Sequence, residues 1–96
     1  MECEFTGEVV HWRGPSPYHF VPLPPEEADA IRSLAQSVTY GWGVIPVRAT
    51  LGDTIWRTSL FPKDGGYLLP LRDSVRKKED VELADTVGVR LTVLGK

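Results

Sequence analysis

Residues 44–61 read VIPVRATLGDTIWRTSLF, and this stretch decides the fold. From Ile45 to Leu51 every second residue is apolar, which is the period-two pattern of a strand with one buried face. A second run with strand character follows after only Gly52-Asp53. Two strands that are separated by a glycine-containing pair of residues predict a β-hairpin.

Similar patterns predict further strands on both sides of this hairpin. Apolar and polar residues alternate over residues 3–12 and 87–93, and short extended segments rich in aromatic and apolar residues occupy 18–21 and 67–71. Pro70 falls inside the last of these segments. Because proline cannot donate to a sheet ladder, we expect Pro70 on an edge or near the end of its strand.

Two short helices complete the prediction. Pro24-Pro25-Glu26-Glu27 is typical of a helix start, and this helix is expected to end before Gly41. Residues 72–78 lack helix breakers and predict a second helix. The first helix carries an apolar stripe formed by Ala28, Ile31, Leu34, Ala35 and Val38. About six strands joined by tight turns in one domain, residues 1–96, predict a mainly β fold that forms a small closed or nearly closed β-barrel.

The charge balance limits the partners of the chain. It has 11 Lys and Arg residues against 13 Asp and Glu residues, a net charge of −2, so no overall positive field attracts nucleic acid. The chain has no signal-peptide pattern and no apolar run near the roughly 20 residues of a membrane helix. We therefore expect a cytoplasmic protein with no membrane partner. The single cysteine, Cys3, excludes an internal disulfide.

The residues that could carry chemistry form no catalytic or metal-binding pattern. His11 and His19 could each act as a base, but no local motif places a nucleophile or an acid beside them. Partly buried histidines at strand ends are the commoner explanation. Cys3, His11 and His19 fall eight residues apart, which separates the side chains too widely for a zinc site on extended segments. We predict no enzyme activity, no metal and no cofactor.

A group of tryptophans and arginines is the first candidate binding site. Such pairs can stack a planar ligand and bind a carboxylate or phosphate with the guanidinium group. The same pattern is also typical of core packing covered by long arginine side chains. The predicted ligand-binding residues are Trp12, Arg13, Arg48, Trp56 and Arg57.

A second candidate surface is the only cationic cluster, which Asp73, Glu79 and Asp80 dilute. It consists of Arg72, Arg76, Lys77 and Lys78. These residues would bind nucleic acid if the protein were a regulator, whereas a solvated helix face is the commoner explanation for such a cluster.

Several stretches resemble an uncharacterised prokaryotic family, the domain of unknown function DUF1905. They are HWRGPSPY at 11–18, the segment 41–51 with VIPVRAT at 44–50, WRTSLFP at 56–62, GYLLPL at 66–71 and Val75-Arg76. The resemblance implies a compact double-split β-barrel, similar in topology to the barrel of transcription regulators of the AbrB and MazE kind. It implies no established activity.

A shorter unit resembles those regulators more closely. LPLRDSVR at 69–76 followed by LADTV at 83–87 is similar to their unit of a strand with proline, a short helix and a Gly-Asp turn. Ala84 stands where that pattern has glycine, and alanine resists the positive φ that glycine allows. The turn geometry therefore cannot simply be carried over. The net charge of −2 also separates this chain from a typical DNA-binding member, so dimeric DNA binding cannot simply be carried over either.

The sequence thus favours a non-enzymatic β-barrel module that binds a small ligand or a protein partner. The alternative is a homodimeric nucleic-acid-binding regulator of the AbrB type. Near-neutral charge places the binding module first. Both a monomer and a homodimer remain open.

Overall fold

The computed structural model describes residues 2–13, 17–38 and 45–94 of the chain. Within these ranges the fold is mainly β, as predicted. The elements in chain order are β1 (Glu2–Glu8), β2 (Val10–Arg13), β3 (Pro17–Pro22), α1 (Pro25–Val38), β4 (Ile45–Leu51), β5 (Thr54–Lys63), β6 (Gly66–Leu71), α2 (Asp73–Glu79) and β7 (Thr86–Val93).

The strands form one antiparallel sheet in the order β1-β7-β4-β5-β6-β3-β2. The sheet curls into a half-barrel, consistent with the predicted small β-barrel. Strand β5 joins its two halves, because residues 54–60 pair with β4 and residues 61–63 pair with β6. The curl brings β1 against β3, where a Cβ added at Gly7 would lie 2.7 Å from Val21 Cγ1.

The predicted first strand is divided in two, so the described residues contain seven strands where we expected about six. The division falls at Val9. The Val9 N–H donates to the Asp85 carbonyl at 2.8 Å, and the Ala84 N–H donates to the Val9 carbonyl at 2.9 Å. Because the turn at 82–85 takes both backbone groups of Val9, the chain leaves β7 there and continues into the other half of the sheet as β2.

The core lies inside the curl and is closed on one side by α1. Helix α1 begins at Pro25 with Glu26 and Glu27 in its first turn, as predicted. Of its predicted stripe, Ala28 and Ile31 are buried and Leu34 is half-buried, whereas the side chains of Ala35 and Val38 lie outside the described part. No helix within the described ranges is long and apolar enough to cross a membrane. Fully buried core residues from the strands include Val21, Ile45, Val47, Ala49, Leu60, Leu69 and Leu91.

Two-residue turns set the register of the strands that carry the predicted ligand site. The predicted turn Gly52-Asp53 joins β4 to β5, and Gly52 has a φ of 59°. The turn Asp64-Gly65 joins β5 to β6 with φ values of 53° and 81°. Consecutive positive φ values are typical of the type I′ turns that favour hairpins.

Pro70 explains why β5 and β6 separate. Residues two apart in a strand direct their backbone groups to the same side. The Arg57 carbonyl faces β6, because it accepts a hydrogen bond from the Arg72 side chain there, and the backbone groups of Ser59 therefore face β6 as well. Extending the β5–β6 register beyond Phe61 and Leu68 sets Ser59 opposite Pro70. Because Pro70 has no N–H, it cannot donate to the Ser59 carbonyl. The ladder ends at Phe61, and the missing donor lies one residue from the end of β6.

The turn at 82–85 has the geometry that glycine would favour. The Asp85 N–H donates to the Glu82 carbonyl at 3.1 Å, and the Glu82 N–H donates to the Asp85 carboxylate at 2.9 Å. Ala84, the third residue of this turn, has a φ of 73°. A positive φ at the third position alone is the signature of a type II turn. Alanine therefore adopts the left-handed conformation in spite of its Cβ.

Candidate ligand-binding site

Arg48 of β4 and Arg57 of β5 are directly opposite each other in the hairpin. Both side chains are exposed, on the face of the sheet that points away from the core. Directly opposed residues have Cβ atoms about 4.5–5.5 Å apart. The structure therefore brings two of the predicted ligand-binding residues onto one small area of the surface.

Trp56 lies on the opposite face of the sheet. It is 8% exposed, and its cross-strand partner Ala49 is fully buried. Successive strand residues point to opposite faces, so Trp56 and its sequence neighbour Arg57 do not share a surface. The indole Nε1 of Trp56 is buried and has no hydrogen-bond partner among the described residues. Trp56 is a core residue beneath the sheet that carries the two arginines.

Arg72 joins Arg57 from the other side. Its Nη2 donates a hydrogen bond to the Arg57 carbonyl at 2.9 Å. Continuing the β5–β6 register beyond Phe61 and Leu68 also sets Arg57 opposite Arg72. Arg48, Arg57 and Arg72 thus follow one another across β4, β5 and the residue after β6. We call these three residues the arginine row.

The positive charge of the arginine row has no acidic partner in the described part of the chain. Ion pairs there engage other arginines, such as Arg90 with Glu4 at 2.8 Å and Arg76 with Asp73 at 3.0 Å. Within the β4–β5 hairpin the diagonal cross-strand neighbours of Arg48 and Arg57 are uncharged: Pro46, Thr50, Ile55 and Ser59. On β7 the diagonal neighbour of Arg48 is Arg90, a cation that is already paired with Glu4. Opposed like charges repel each other, so an anion bound to the row would relieve that repulsion.

A shallow depression of about 340 Å³ lies where β5 and β6 separate. Its apolar part includes the Phe61 ring, which is 42% exposed and packs edge-on against Phe20 with ring centroids 6.5 Å apart. The lining residues are Thr58, Phe61, Pro70, Leu71 and Arg72. Since Arg72 belongs both to this lining and to the arginine row, one small molecule could contact a cationic and an apolar surface together.

Helix α2 holds Arg72 in place because it is attached to β5 at both ends. At its start, Arg72 donates to the Arg57 carbonyl. At its end, the Thr54 hydroxyl donates to the Glu79 carboxylate. A Cβ at Gly52 would overlap the same carboxylate, so glycine is needed there for the close approach of Glu79. Glycine also accommodates the positive φ of this position. These contacts hold the start and the end of α2 against β5, with Arg72 beside Arg57.

The remaining residues of the predicted cationic cluster lie on α2. Arg76 is 24% exposed at its side chain and is paired with Asp73, and its Nε is buried with no partner among the described residues. Lys77 and Lys78 are exposed. The structure thus divides the cluster between the arginine row, an internal ion pair and a solvated helix face.

Trp12 and Arg13 lie on β2, at the far end of the strand order from β1. Their side chains, and the whole of Trp42, fall outside the described part of the chain. The backbone of β2 is separated from β5 by β3 and β6. Their prediction as ligand-binding residues stays a prediction.

His11 and His19 are opposed on β2 and β3, with ring centroids 5.1 Å apart. Burial lowers the pKa of His19, the positive charges of Arg76 and His11 lower it further, and Asp73 opposes them. No group of three or more metal-ligating side chains occurs among the described residues.

A second, larger depression of about 480 Å³ lies over β1, β7 and the end of β4. Gly88 and Gly52 leave it open, and Glu4 and Arg90 form its polar side. These two side chains satisfy each other, with a hydrogen bond of 2.9 Å from Arg90 Nε to Glu4 Oε2. Their charges are thus compensated, in contrast to those of the arginine row.

Sequence reasoning missed that Arg72 and the apolar depression belong beside Arg57. The signals were present, because a two-residue turn after Lys63 sets the β5–β6 register and Pro70 interrupts the ladder. The alternation of strand side chains was also sufficient to separate Trp56 from Arg57.

The family model for a domain of unknown function, DUF1905, matches residues 5–91. No curated protein matches the chain.

Proposed function

The chain belongs to the DUF1905 family, whose function is unknown, and we propose from its structure that it is a non-enzymatic binding module. The arginine row holds an anionic group of a small ligand or of a protein partner. The observation that carries this proposal is that Arg48, Arg57 and Arg72 meet on one exposed surface with no carboxylate among their ion-pair partners in the described chain.

Two further features support the proposal. Guanidinium groups recognise carboxylates and phosphates by paired hydrogen bonds, and three arginines lie side by side here, on β4, on β5 and directly after β6. The sheet sets the backbone positions of Arg48 and Arg57, and the hydrogen bond to the Arg57 carbonyl holds the Arg72 side chain, which lowers the entropy lost on binding.

The test is an NMR titration of the isotope-labelled protein with acetate and with inorganic phosphate. We expect the largest amide shift changes at Arg57, Ser59 and Arg72. Replacing Arg57 by glutamine removes charged hydrogen bonds worth about 1.5–3 kcal/mol when desolvated, and in this exposed site we expect the lower end, about a tenfold loss of affinity.

Arg90→Gln is the matched control, because Arg90 is an exposed arginine in the same sheet whose charge is already paired with Glu4. It should bind both anions as the wild type does. The proposal fails if neither anion moves the amides of the arginine row, or if Arg57→Gln and Arg90→Gln weaken binding equally.

Nucleic-acid binding is the second candidate function. The observation in its favour is that α2 starts beside the arginine row and presents exposed Lys77 and Lys78 beyond it. A homodimer could join two such surfaces, as in the AbrB-type regulators that the sequence resembles. Binding through these cations would weaken steeply with salt, and charge reversal at Arg72 and Lys77 would abolish it. A mobility shift that is absent or independent of salt would exclude it.

A further inference from the structure

We infer that the ligand of the arginine row is a phosphate monoester attached to a flat apolar group. This inference rests on the proposed binding function and specifies its ligand class. Three features favour this ligand: the number of positive charges in the arginine row, the apolar lining of the depression beside it, and the carboxylates on either side of the row.

The number of charges favours a dianion. Three exposed arginines lie at neighbouring positions across the sheet, whereas a carboxylate supplies one negative charge and two oxygens that a single arginine can saturate. A phosphate monoester carries about 1.5–2 negative charges at neutral pH and three acceptor oxygens. It can therefore bridge Arg48, Arg57 and Arg72 at once.

The apolar side of the depression favours a ligand with a flat group. The half-exposed Phe61 ring, Pro70 and Leu71 lie directly beyond Arg72. An aromatic ring in the ligand could pack against Phe61 in an offset or edge-on arrangement while its phosphate meets the row. The opening is narrow, since the Arg72 side chain alone spans it and β5 pairs with β6 from Phe61 onward. The depression of about 340 Å³ is of a size that suits a small ring.

The surroundings favour a small ligand over a nucleic-acid strand. On the other side of Arg48, the opposed residue on β7 is Thr92, and Thr92 is in turn opposite Glu2 of β1. Glu4 and Glu8 are also exposed on β1. On the other side Asp73 follows Arg72. A long polyanion crossing the row would meet these carboxylates, whereas one phosphate group fits between them.

The experiment compares phenyl phosphate with phenyl sulfate, which has a similar shape and a single charge. Both are titrated into the full chain by NMR, with Arg57→Gln and Arg90→Gln as variants. At about pH 7.5, where the phosphate is mainly a dianion, we expect phenyl phosphate to bind about tenfold more tightly than phenyl sulfate. Inorganic phosphate, which lacks the ring, should bind about tenfold more weakly than phenyl phosphate.

Lowering the pH to about 5 protonates the phosphate through its second pKa near 6, and its affinity should fall toward that of phenyl sulfate. Phenyl sulfate keeps its charge over this range. Any positive charge that His19 gains as the pH falls would strengthen anion binding, which is opposite to the loss of affinity expected from protonation of the phosphate. Asp73 is the nearest carboxylate of α2, and it is held by Arg76.

Each outcome identifies which statement fails. Equal affinities for phenyl phosphate and phenyl sulfate would overturn the phosphate class and leave anion binding by the row intact. Phenyl phosphate that binds no better than inorganic phosphate would overturn the flat apolar group. A single-stranded oligonucleotide that displaces phenyl phosphate at lower concentration would identify nucleic acid as the partner instead. Binding that survives Arg57→Gln would place the site elsewhere and refute the proposed function as well.

Discussion

Replacing Ala84 by glycine should stabilise the protein, although it removes a methyl group. Ala84 has a φ of 73° in the type II turn at 82–85, and its side chain is exposed, so the methyl group contributes no buried surface. An L-residue in the left-handed conformation costs about 1–2 kcal/mol. Glycine removes that strain, at the expense of about 0.5–1 kcal/mol of additional chain entropy in the unfolded state. The difference is a gain of about 0.7 kcal/mol in the free energy of unfolding.

The measurement is thermal unfolding together with denaturant titration. For a domain of this size, 1 kcal/mol corresponds to about 4–8 °C, so Ala84→Gly should raise Tm by about 3–6 °C. The denaturant midpoint should rise with an unchanged slope, because the surface exposed on unfolding stays the same. Ala84→Asn should fall between alanine and glycine, since asparagine tolerates a positive φ better than alanine does.

The matched control is the same substitution in a right-handed conformation. Ala30 is exposed within α1, and Ala30→Gly should lower the free energy of unfolding by about 1 kcal/mol. The reasoning is refuted if Ala84→Gly lowers Tm as Ala30→Gly does. That result would mean that the turn imposes no strain on Ala84.

Three other substitutions or titrations test separate parts of the fold. Gly7→Ala should destabilise the protein by about 1–3 kcal/mol, since its Cβ would lie 2.7 Å from Val21 Cγ1 and 2.9 Å from a backbone carbonyl; an unchanged Tm would contradict the contact between β1 and β3. Thr54→Val should cost about 1–3 kcal/mol by leaving the Glu79 carboxylate without its donor; the loss should shrink in a Glu79→Gln background, and an equal loss in both would contradict the bond. Burial lowers the pKa of His19, so its NMR titration midpoint should lie below 6.5. The unfolded state then binds more protons, and stability should rise with pH through this range by an amount that His19→Gln removes.

The elements that sequence predicted well are those whose pattern is local. The β4–β5 hairpin follows from alternation over 45–51 and from a two-residue turn, and α1 follows from its proline and acidic first turn. The division of the first strand at Val9 was missed because its cause is distant. The groups that take the Val9 backbone belong to Ala84 and Asp85, which lie about 75 residues away along the chain.

The arginine row shows a different limit. Arg48, Arg57 and Arg72 are spaced by nine and fifteen residues, so no window of sequence displays them together. The two turns determine their proximity, because Leu51 opposite Thr54 leads to Arg48 opposite Arg57, and Lys63 opposite Gly66 leads to Arg57 opposite Arg72. Grouping Trp56 with Arg57 used adjacency in sequence, whereas the period of a strand separates neighbours onto opposite faces.

Pro70 connects the fold to the proposed site. A residue with an N–H at this position could bond Ser59 and continue the β5–β6 ladder past Phe61. The sheet would then close over the place where Arg72 now reaches the Arg57 carbonyl. On the β3 side Pro70 is opposite Phe20, at a position where its own backbone groups point the other way, so the proline does not interrupt that pairing. One residue therefore opens the sheet on the side of the arginine row and leaves it intact on the other.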